Sequence, residues 1–271
     1  MDTHSVRLPL AVLLLLAVAL LLVSEGAEAK DPEWNYVTGD VACSVAISAD
    51  GEYIAVGSGD TKVYLFGKDS STPLWSYETG NDVCSMAISA DGEYIAAGSI
   101  ENRYFYLFHK DSSTPLWSYE TEHNVYSVSI SADGEYVAVA SIDGTVYLFD
   151  KDSSTPLWNY TTGGAVRSVA ISANGEYIAV GSDDDSIYFF DKDSDTYLWN
   201  YSTGADVRTV AISADGEYIA AGSMIDGKEV YLFDKDSSTP LWNYTIVSGS
   251  AVNSVSISAD GKYIAAGTSY T

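Results

Sequence analysis

The sequence predicts an all-β fold, a β-propeller of four-stranded antiparallel blades, and three observations support this. Each interval between successive tryptophans contains four strand-like runs separated by turns rich in Asp, Gly, Ser and Asn. No helical period occurs after residue 30. The tryptophans recur every 41 to 43 residues, at Trp34, Trp75, Trp117, Trp158, Trp199 and Trp242. A repeat of about 40–45 residues with four strands is typical of a propeller, and an open solenoid is the alternative.

The four runs differ in side-chain size. In the repeat over residues 165–204 they read RSVAIS, EYIAVGS, SIYFFD and YLWNYS, and we name them A, B, C and D. The A and B runs carry Ala, Gly and Ser, which suit a crowded central axis, whereas the aromatic C and D runs suit the wider rim. All four are apolar with little strict alternation, which indicates sheets covered on both faces.

The repeats number five complete copies plus a partial sixth. A D-type motif at Trp34 precedes the first A run. The last copy supplies A and B runs at residues 254–258 and 263–267 without a C run. We therefore expect the chain to be truncated, with further blades in a longer protein, or to receive a strand from another chain.

Two known repeat families resemble these copies. Residues 207–223, VRTVAISADGEYIAAGS, followed by VYLFD resemble the WD repeat, with its final Trp-Asp replaced by Phe149-Asp150 or Phe233-Asp234. Residues 146–163, VYLFDKDSSTPLWNYTTG, resemble the repeat of pyrroloquinoline-quinone (PQQ) type propellers. The resemblance covers residues 34–271 and implies a propeller without implying one function. The Gly-His dipeptide of WD repeats is absent, and the turn before each tryptophan is shorter than the quinoprotein docking motif.

Residues 1–29 are predicted to be a secretory signal peptide, which leaves residues 30–271 as the propeller. Leu8–Val23 is an apolar run of 16 residues, and Ala27-Glu28-Ala29 is a small-x-small cleavage pattern. The alternative is a retained membrane anchor, but the run is shorter than the roughly 20 residues that span a bilayer. We expect an exported protein that is extracellular, periplasmic or at the cell surface, with membrane contact only if this segment stays uncleaved.

The charge excludes one class of partner. Without residues 1–29 the chain keeps 35 of its 38 acidic and 12 of its 13 basic residues, a net charge of −23. Such a field repels phosphate backbones, so no nucleic-acid partner is expected. Solubility explains the acidity most simply.

One face of the disc is predicted to bind a partner. The A–B and C–D turns, SADG and KDSST, are nearly constant and share one face, whereas the D–A and B–C connections vary and share the other. Varied loops on a rigid scaffold are where binding usually evolves. The candidate residues on the variable face are Asp82, His123, Asn124, Tyr126, Arg167, Asp206, Arg208 and Asn253. Alanine at Arg167 and Arg208 is expected to weaken binding with little loss of stability.

Modification motifs occur twice. Asn159, Asn200 and Asn243 each begin an Asn-Tyr-Ser/Thr sequon in the D run, so glycosylation is possible in an exported protein. Cys43 and Cys84 occupy the same slot of adjacent repeats. Two buried or channel-facing thiols are the favoured interpretation, and a disulfide, which an oxidising compartment would permit if their Cα atoms lie within about 7 Å, is the alternative.

Catalytic and metal-binding patterns are sparse. Only His109 and His123 remain after signal removal, on opposite faces, so no Ser-His-Asp or zinc set is expected. No catalytic residue, metal or cofactor is predicted. The favoured function is a binding or scaffold module for a protein, peptide or glycan. The alternatives are a quinoprotein-like or hydrolytic enzyme and a structural cell-surface repeat protein.

Overall fold

The computed structural model describes residues 32–224, 229–246 and 251–269, and their regular secondary structure consists of β-strands. The chain divides into two units, Met1–Glu33 and Trp34–Thr271, and every strand lies in the second. The predicted signal peptide, residues 1–29, falls outside the described residues. The all-β prediction is confirmed.

The 22 strands fall into six antiparallel sheets, which we call blades 1 to 6. Blades 1 to 3 are β1 (Ala42–Ile47), β2 (Tyr53–Ser58), β3 (Lys62–Gly67), β4 (Trp75–Glu78); β5 (Val83–Ile88), β6 (Tyr94–Ser99), β7 (Tyr104–His109), β8 (Trp117–Glu120); and β9 (Val125–Ile130), β10 (Tyr136–Ser141), β11 (Thr145–Asp150), β12 (Trp158–Thr161). Blades 4 to 6 are β13 (Val166–Ile171), β14 (Tyr177–Ser182), β15 (Ser186–Asp191), β16 (Trp199–Ser202); β17 (Val207–Ile212), β18 (Tyr218–Ser223), β19 (Glu229–Asp234), β20 (Trp242–Thr245); and β21 (Ala251–Ile257), β22 (Ile264–Ser269).

Each of the first five blades has four strands in sequence order, corresponding to the A, B, C and D runs. Blade 6 consists of two strands among the described residues. Five complete repeats and a partial sixth are therefore confirmed. Residues 34–38, the early D-type motif, are not part of a strand.

The A strands lie innermost, around a common axis. Each contacts the A strand of the next blade: β1 with β5, β5 with β9, β9 with β13, β13 with β17, and β17 with β21. A cavity of about 390 Å³ opens where these strands end on the face of the A–B turns. Its wall is a ring of isoleucines and alanines, including Ile88, Ile130 and Ile212.

The core lies between blades rather than within them, which explains the small residues of the B strands. A Cβ added to Gly57 in β2 would lie 2.6 Å from the carbonyl oxygen of Val83 in the next blade. Tyr64 and Phe66 of β3 are nearly fully buried, with exposed fractions of 5% and 2%. The predicted gradient of side-chain size from axis to rim therefore follows from how closely the backbones approach.

Neighbouring blades are joined by regular hydrogen bonds. In the A–B turns, the Ala49 amide donates to the Ala90 carbonyl at 2.9 Å, and the same bond recurs as far as Ala214 to Ala259 at 3.1 Å. Each bond connects a blade to the following one. The turn that was nearly constant in sequence is thus part of the contact between blades.

The first blade is less covered than the later blades. Val45 in β1 is 66% exposed, whereas its counterparts Val128, Val169 and Val255 in later blades are 5–7% exposed. Trp34 packs on Phe66 of blade 1, with ring centroids 5.5 Å apart. The leading face of blade 1 is therefore open to solvent among the described residues.

Candidate binding face

A β-bulge occurs near the start of every A strand. In blade 1 the pairing with β2 moves from Ala42↔Ser58 to Ser44↔Gly57, which leaves the residue between Ala42 and Ser44 without a ladder partner. The same shift recurs in all six blades. The extra residues are Cys43, Cys84, Tyr126, Arg167, Arg208 and Asn253. A bulge re-aims a side chain, so this variable slot of the repeat is freed from the ladder.

The residues on either side of the bulge are fixed by packing. The residue before it is a fully buried valine in five blades: Val83, Val125, Val166, Val207 and Val252. The residue after it, a serine or threonine, accepts an amide hydrogen bond from the next blade, as Ser85 Oγ does from Val128 at 2.9 Å. The bulge residue therefore stands on a rigid support, which is what a precise binding site needs.

The B–C turns beside the bulges are held by a buried tyrosine of the C strand. Asp60 Oδ2 accepts hydrogen bonds from the Tyr64 hydroxyl and from the Gly39 amide, each at 2.6 Å. The corresponding Asp184 Oδ2 accepts from the Tyr188 hydroxyl and the Gly163 amide, each at 2.7 Å. Each aspartate thus ties a B–C turn to the D–A loop next to it. Sequence reasoning missed this contact, although an aspartate four residues before a constant tyrosine was a visible signal.

A polar cluster occupies the variable face of blades 3 and 4. The Arg167 guanidinium carbon lies 5.0 Å from the centre of the Tyr126 ring, a cation–π contact between neighbouring bulges. Arg167 Nε donates a hydrogen bond to Asp183 Oδ2 at 2.7 Å, and Nη2 lies 2.7 Å from the same oxygen as an ion pair. The hydrogen bond with Asp183 raises the pKa of Arg167 further. Asp183 Oδ1 is buried and has no hydrogen-bond partner among the residues that the structure describes.

Arg167 and Asp183 depart from the repeat together. The slot of Asp183, which directly follows the B strand, carries an apolar residue or glycine in other blades: Gly59, Ile100, Ile142 and Met224. The bulge slot carries arginine only in blades 4 and 5. Sequence reasoning identified Arg167 but missed Asp183. A comparison of the B–C slots across copies would have found it.

The other candidates make looser contacts. Arg208 Nη2 lies 3.8 Å from Asp206 Oδ2, and the two side chains are 41% and 39% exposed. His123 Nδ1 accepts the Asn124 amide hydrogen at 2.9 Å, and Asn124 Oδ1 accepts the amide of the B–C turn at residue 101. Asn253 is exposed and Asp82 is half-buried. The structure thus joins Tyr126 with Arg167, Arg208 with Asp206, and His123 with Asn124.

The two cysteines are free thiols in the structure. They occupy the bulges of β1 and β5, with Cys43 exposed and Cys84 half-buried. Burial raises the pKa of Cys84 to about 12, and the hydrogen bond to Cys43 and the nearby Asp82 carboxylate add to this. The two thiols are therefore close neighbours, and that of Cys84 is protonated at neutral pH.

The face of the A–B turns differs in kind. Ser48 Oγ donates to Asp50 Oδ1 at 2.5 Å, and that oxygen also accepts the Glu52 amide. The hydrogen bond from Ser48 lowers the pKa of Asp50 more than the other contacts do. His109 lies on this side, with its Nε2 3.0 Å from Glu93 Oε2. Ser48, Asp50 and Glu52 thus satisfy one another within one A–B turn, whereas the contact of His109 with Glu93 joins a C–D turn to an A–B turn.

The remaining predicted groups have the following positions. Asn159, Asn200 and Asn243 are exposed in the D strands, where their glycosylation stays a prediction. Within the described ranges, no group of three or more His, Cys, Asp and Glu side chains could hold a metal ion. In the same part of the chain, no helix has the length and apolar character needed to cross a bilayer.

Comparisons with known proteins agree with the repeat analysis. A family model for the WD domain, G-beta repeat, matches residues 36–66 and 71–108. The PQQ_2 family model, described as outer membrane protein assembly factor BamB, matches residues 114–268. A search of curated proteins found no match. The suspected relationship to WD-type and PQQ-type repeats is confirmed, and since the second match spans more than half of the chain, the chain belongs to the PQQ_2 (BamB) repeat family.

Proposed function

We propose that the protein is an exported binding module that holds a protein, peptide or glycan on the face formed by its D–A and B–C loops. A repeat propeller with WD and PQQ_2 matches supports a binding or scaffold role in general. The family description, outer membrane protein assembly factor, favours a protein partner outside the cytoplasm. An exported module of this kind needs no catalytic group.

One observation carries the choice of face. Each of the six blades contains a bulge whose extra residue is released from the ladder, and these residues differ between most blades. The flanking valines are buried and nearly constant. Repeat scaffolds recognise partners through varied side chains that are carried on a constant framework.

The chemistry of the face suits a polar partner with an apolar anchor. Tyr126, at 41% exposure, and Arg208 combine flat apolar surface with hydrogen-bond donors. Such residues supply much of the binding energy at protein interfaces.

The test is a comparison of two triple variants with the wild-type mature chain. Partners captured from the native envelope by the wild-type chain are identified, and their affinity for each variant is then measured by calorimetry. Tyr126→Ala/Arg208→Ala/Asn253→Ala is expected to weaken binding about tenfold or more. The control Asp111→Ala/Asp152→Ala/Asp193→Ala changes C–D turn side chains that are 75–79% exposed, and is expected to leave affinity unchanged. Equal affinity of both variants would refute the assignment of the face.

Export is tested separately. The mature protein from its own host is expected to begin at Lys30 when its N-terminus is sequenced, as the pattern Ala27-Glu28-Ala29 predicts. Ala29→Arg should block this cleavage, since the enzyme requires a small residue there. A mature protein that retains residues 1–29 would contradict the proposed export by a cleaved signal.

A further inference from the structure

A groove opens at the rim between blades 2 and 3. It is a cavity of about 340 Å³ between β8, the D strand of blade 2, and β11 and β12, the C and D strands of blade 3. Both blades have all four strands, so the walls of the groove are complete. Tyrosines and polar side chains line it, among them Tyr119, Glu120, Glu122, Asp143, Tyr147 and Asn159.

A tyrosine of the chain already occupies part of the corresponding groove between blades 3 and 4. The centroid of the Tyr197 ring lies 5.8 Å from that of Tyr160 and 5.6 Å from that of Tyr188, with its edge toward both rings. In the repeat, Tyr160 corresponds to Tyr119 and Tyr188 to Tyr147. The space beside this pair of tyrosines therefore fits a phenol ring.

The grooves on either side are occupied from another slot, the first residue of the C strand. Between blades 1 and 2 this residue is Tyr104, whose ring stacks on Tyr106 with centroids 5.9 Å apart. Between blades 4 and 5 it is Glu229, whose carboxylate accepts hydrogen bonds from Asn243 at 3.1 Å and Thr245 at 2.8 Å. Each of these grooves thus contains a large side chain from its own blade.

Blade 3 has smaller residues at both of these slots. Thr145 stands where Tyr104 and Glu229 stand in blades 2 and 5. Pro156 stands where blade 4 has Tyr197. The groove between blades 2 and 3 is therefore open because neither slot of blade 3 supplies a ring or a long side chain.

Carboxylates lie beside the groove, and phenols in this part of the fold pair with carboxylates. The Tyr147 hydroxyl donates to Asp143 Oδ2 at 3.0 Å, and the Tyr104 hydroxyl donates to Glu120 Oε2 at 3.2 Å. Glu122 lines the same groove and is exposed. A hydroxyl group that enters the groove therefore has a charged acceptor within its walls.

We propose that the groove between blades 2 and 3 binds a tyrosine side chain of a partner protein. The phenol ring packs against Tyr119 and Tyr147 as Tyr197 packs against their counterparts, and its hydroxyl donates to Glu122. Aromatic pairs in this edge-to-face arrangement add specific energy to the area that they bury. Because the chain is acidic, basic residues next to the tyrosine of the partner favour the encounter.

This site goes beyond the function proposed for the variable face. Among the described residues that line the groove there is no bulge residue. A triple variant at Tyr126, Arg208 and Asn253 should therefore bind a tyrosine probe as the wild-type chain does. Failure of either proposal leaves the other standing.

The probe is N-acetyl-tyrosinamide, a neutral molecule that carries the phenol ring. It is titrated into residues 30–271, produced without glycosylation so that Asn159 keeps its free amide. We expect saturable NMR shifts centred on β8, β11 and β12, with a Kd on the order of 1 mM for a ligand of this size. N-acetyl-phenylalaninamide lacks the hydroxyl and should bind at least about threefold more weakly.

Three variants identify the groove. Pro156→Tyr gives blade 3 the residue that blade 4 carries, so the new ring should fill the groove and weaken binding at least about tenfold. Pro115→Tyr is the matched control in blade 2, where Tyr104 already lies in the groove, and should leave the Kd unchanged. Tyr197→Pro opens the groove between blades 3 and 4, and should add a second set of saturable shifts around Tyr160. This third variant tests the proposal even if Pro156→Tyr fails to fold.

Several results would overturn the proposal. They are the absence of saturable shifts, shifts centred outside β8, β11 and β12, unchanged binding by a folded Pro156→Tyr protein, and equal binding of the two amides. Methyl glucoside that shifts the same residues at lower concentration would also overturn it, since the groove would then be a glycan site.

Discussion

At the scale of single residues, the tryptophans are the most regular contacts between blades. Trp158 Nε1 donates to the Lys192 carbonyl of the next blade at 2.6 Å. Its ring stacks on Phe190 with centroids 5.3 Å apart. The corresponding bond is made by Trp34, Trp75, Trp117 and Trp199. Tryptophan is constant in the repeat because both its large ring and its indole N–H make contacts with the next blade.

Replacement of a stacked tryptophan is expected to destabilise the fold. Trp158→Ala should lower the free energy of unfolding by about 2–4 kcal/mol, somewhat below the range for a fully buried aromatic because this ring is half-buried. Trp242→Ala is the matched control, since that ring is 42% exposed, and should cost less than about 1 kcal/mol. Urea unfolding of both variants measures the difference. Equal losses would show that the contact with the next blade is not what stabilises the tryptophan.

The two arginines of the variable face should behave differently. Arg167 and Asp183 are paired with side-chain exposures of 24% and 18%, whereas Arg208 is 41% exposed. Arg167→Ala should therefore cost about 1–2 kcal/mol, because it leaves a half-buried carboxylate without its donors. Arg208→Ala should stay within about 0.5 kcal/mol. This separates two residues for which the sequence predicted the same small effect.

A double variant tests the reason. If Arg167→Ala is costly because Asp183 loses its donors, Asp183→Ala in the same protein should recover most of the loss. Thermal unfolding of the two single variants and the double variant completes the cycle. Simple addition of the two losses would show that the ion pair has no coupling energy.

At the scale of elements, the β-bulge converts a repeated strand into a varied surface. The sequence predicted which slots vary, because copies within one chain can be compared directly. It could not predict the bulge, since the extra residue leaves no mark in composition and Cys43, Tyr126 and Arg167 share no chemistry. The ladder register of the two strands determines it. Because of the bulge, these side chains stand at positions without a ladder partner rather than at ordinary strand positions.

The bulges of β1 and β5 bring two cysteines together. Tyr126 and Arg167, in bulges of the next pair of A strands, contact each other across blades, which shows that side chains in this slot reach their neighbours. Protein matured in an oxidising compartment is expected to carry a Cys43–Cys84 disulfide, formed by exchange with a disulfide oxidant that accepts the two electrons. The bond should stabilise the fold by about 4 kcal/mol for the loop it closes.

Mass spectrometry of alkylated, unreduced protein measures the thiols. A disulfide leaves both cysteines unlabelled until reduction, and Cys84→Ser serves as the control with one permanently free thiol. Because the pKa of Cys84 is raised to about 12, bond formation should also accelerate as the pH rises above neutrality. Full labelling of both thiols in exported protein would contradict the prediction.

At the scale of the whole molecule, the sequence determined the architecture well and the contacts poorly. Tryptophan spacing gave the number of blades, and the small residues of the A and B runs placed them at the axis. The contact that ties the B–C turn to the D–A loop, as between Asp60 and Gly39, escaped because the Gly39 amide lies 21 residues away in the sequence. The exposure of Trp242 escaped as well, because its counterparts in blades 1 to 4 are buried or half-buried. Burial depends on the neighbouring blade, which a single repeat does not contain.

The buried tyrosines of the C strands make the stability of the fold depend on pH in the alkaline range. They are Tyr64, Tyr106, Tyr147, Tyr188 and Tyr231, with exposed fractions of 2–7%. Burial is the main cause that raises the pKa of each, and it brings that of Tyr106 to about 12. In four of them a hydrogen-bonded Asp or Glu adds to the effect. When a tyrosine has a higher pKa in the folded protein than in the unfolded chain, its contribution to the free energy of unfolding is complete below the unfolded pKa. That contribution is lost as the pH rises through the folded pKa.

We therefore expect stability to be complete below the unfolded tyrosine pKa of about 10 and to fall as the pH rises above it. Each such tyrosine contributes a slope of about 1.4 kcal/mol per pH unit, so five acting together should unfold the protein within a narrow alkaline interval. Urea unfolding between pH 8 and pH 11, with phenolate absorbance recorded in parallel, measures both quantities. Tyr147→Phe keeps the ring and removes one titrating group, so its stability should fall less steeply with pH. Ionisation of these five tyrosines in a protein that stays folded would show that burial between blades does not protect them.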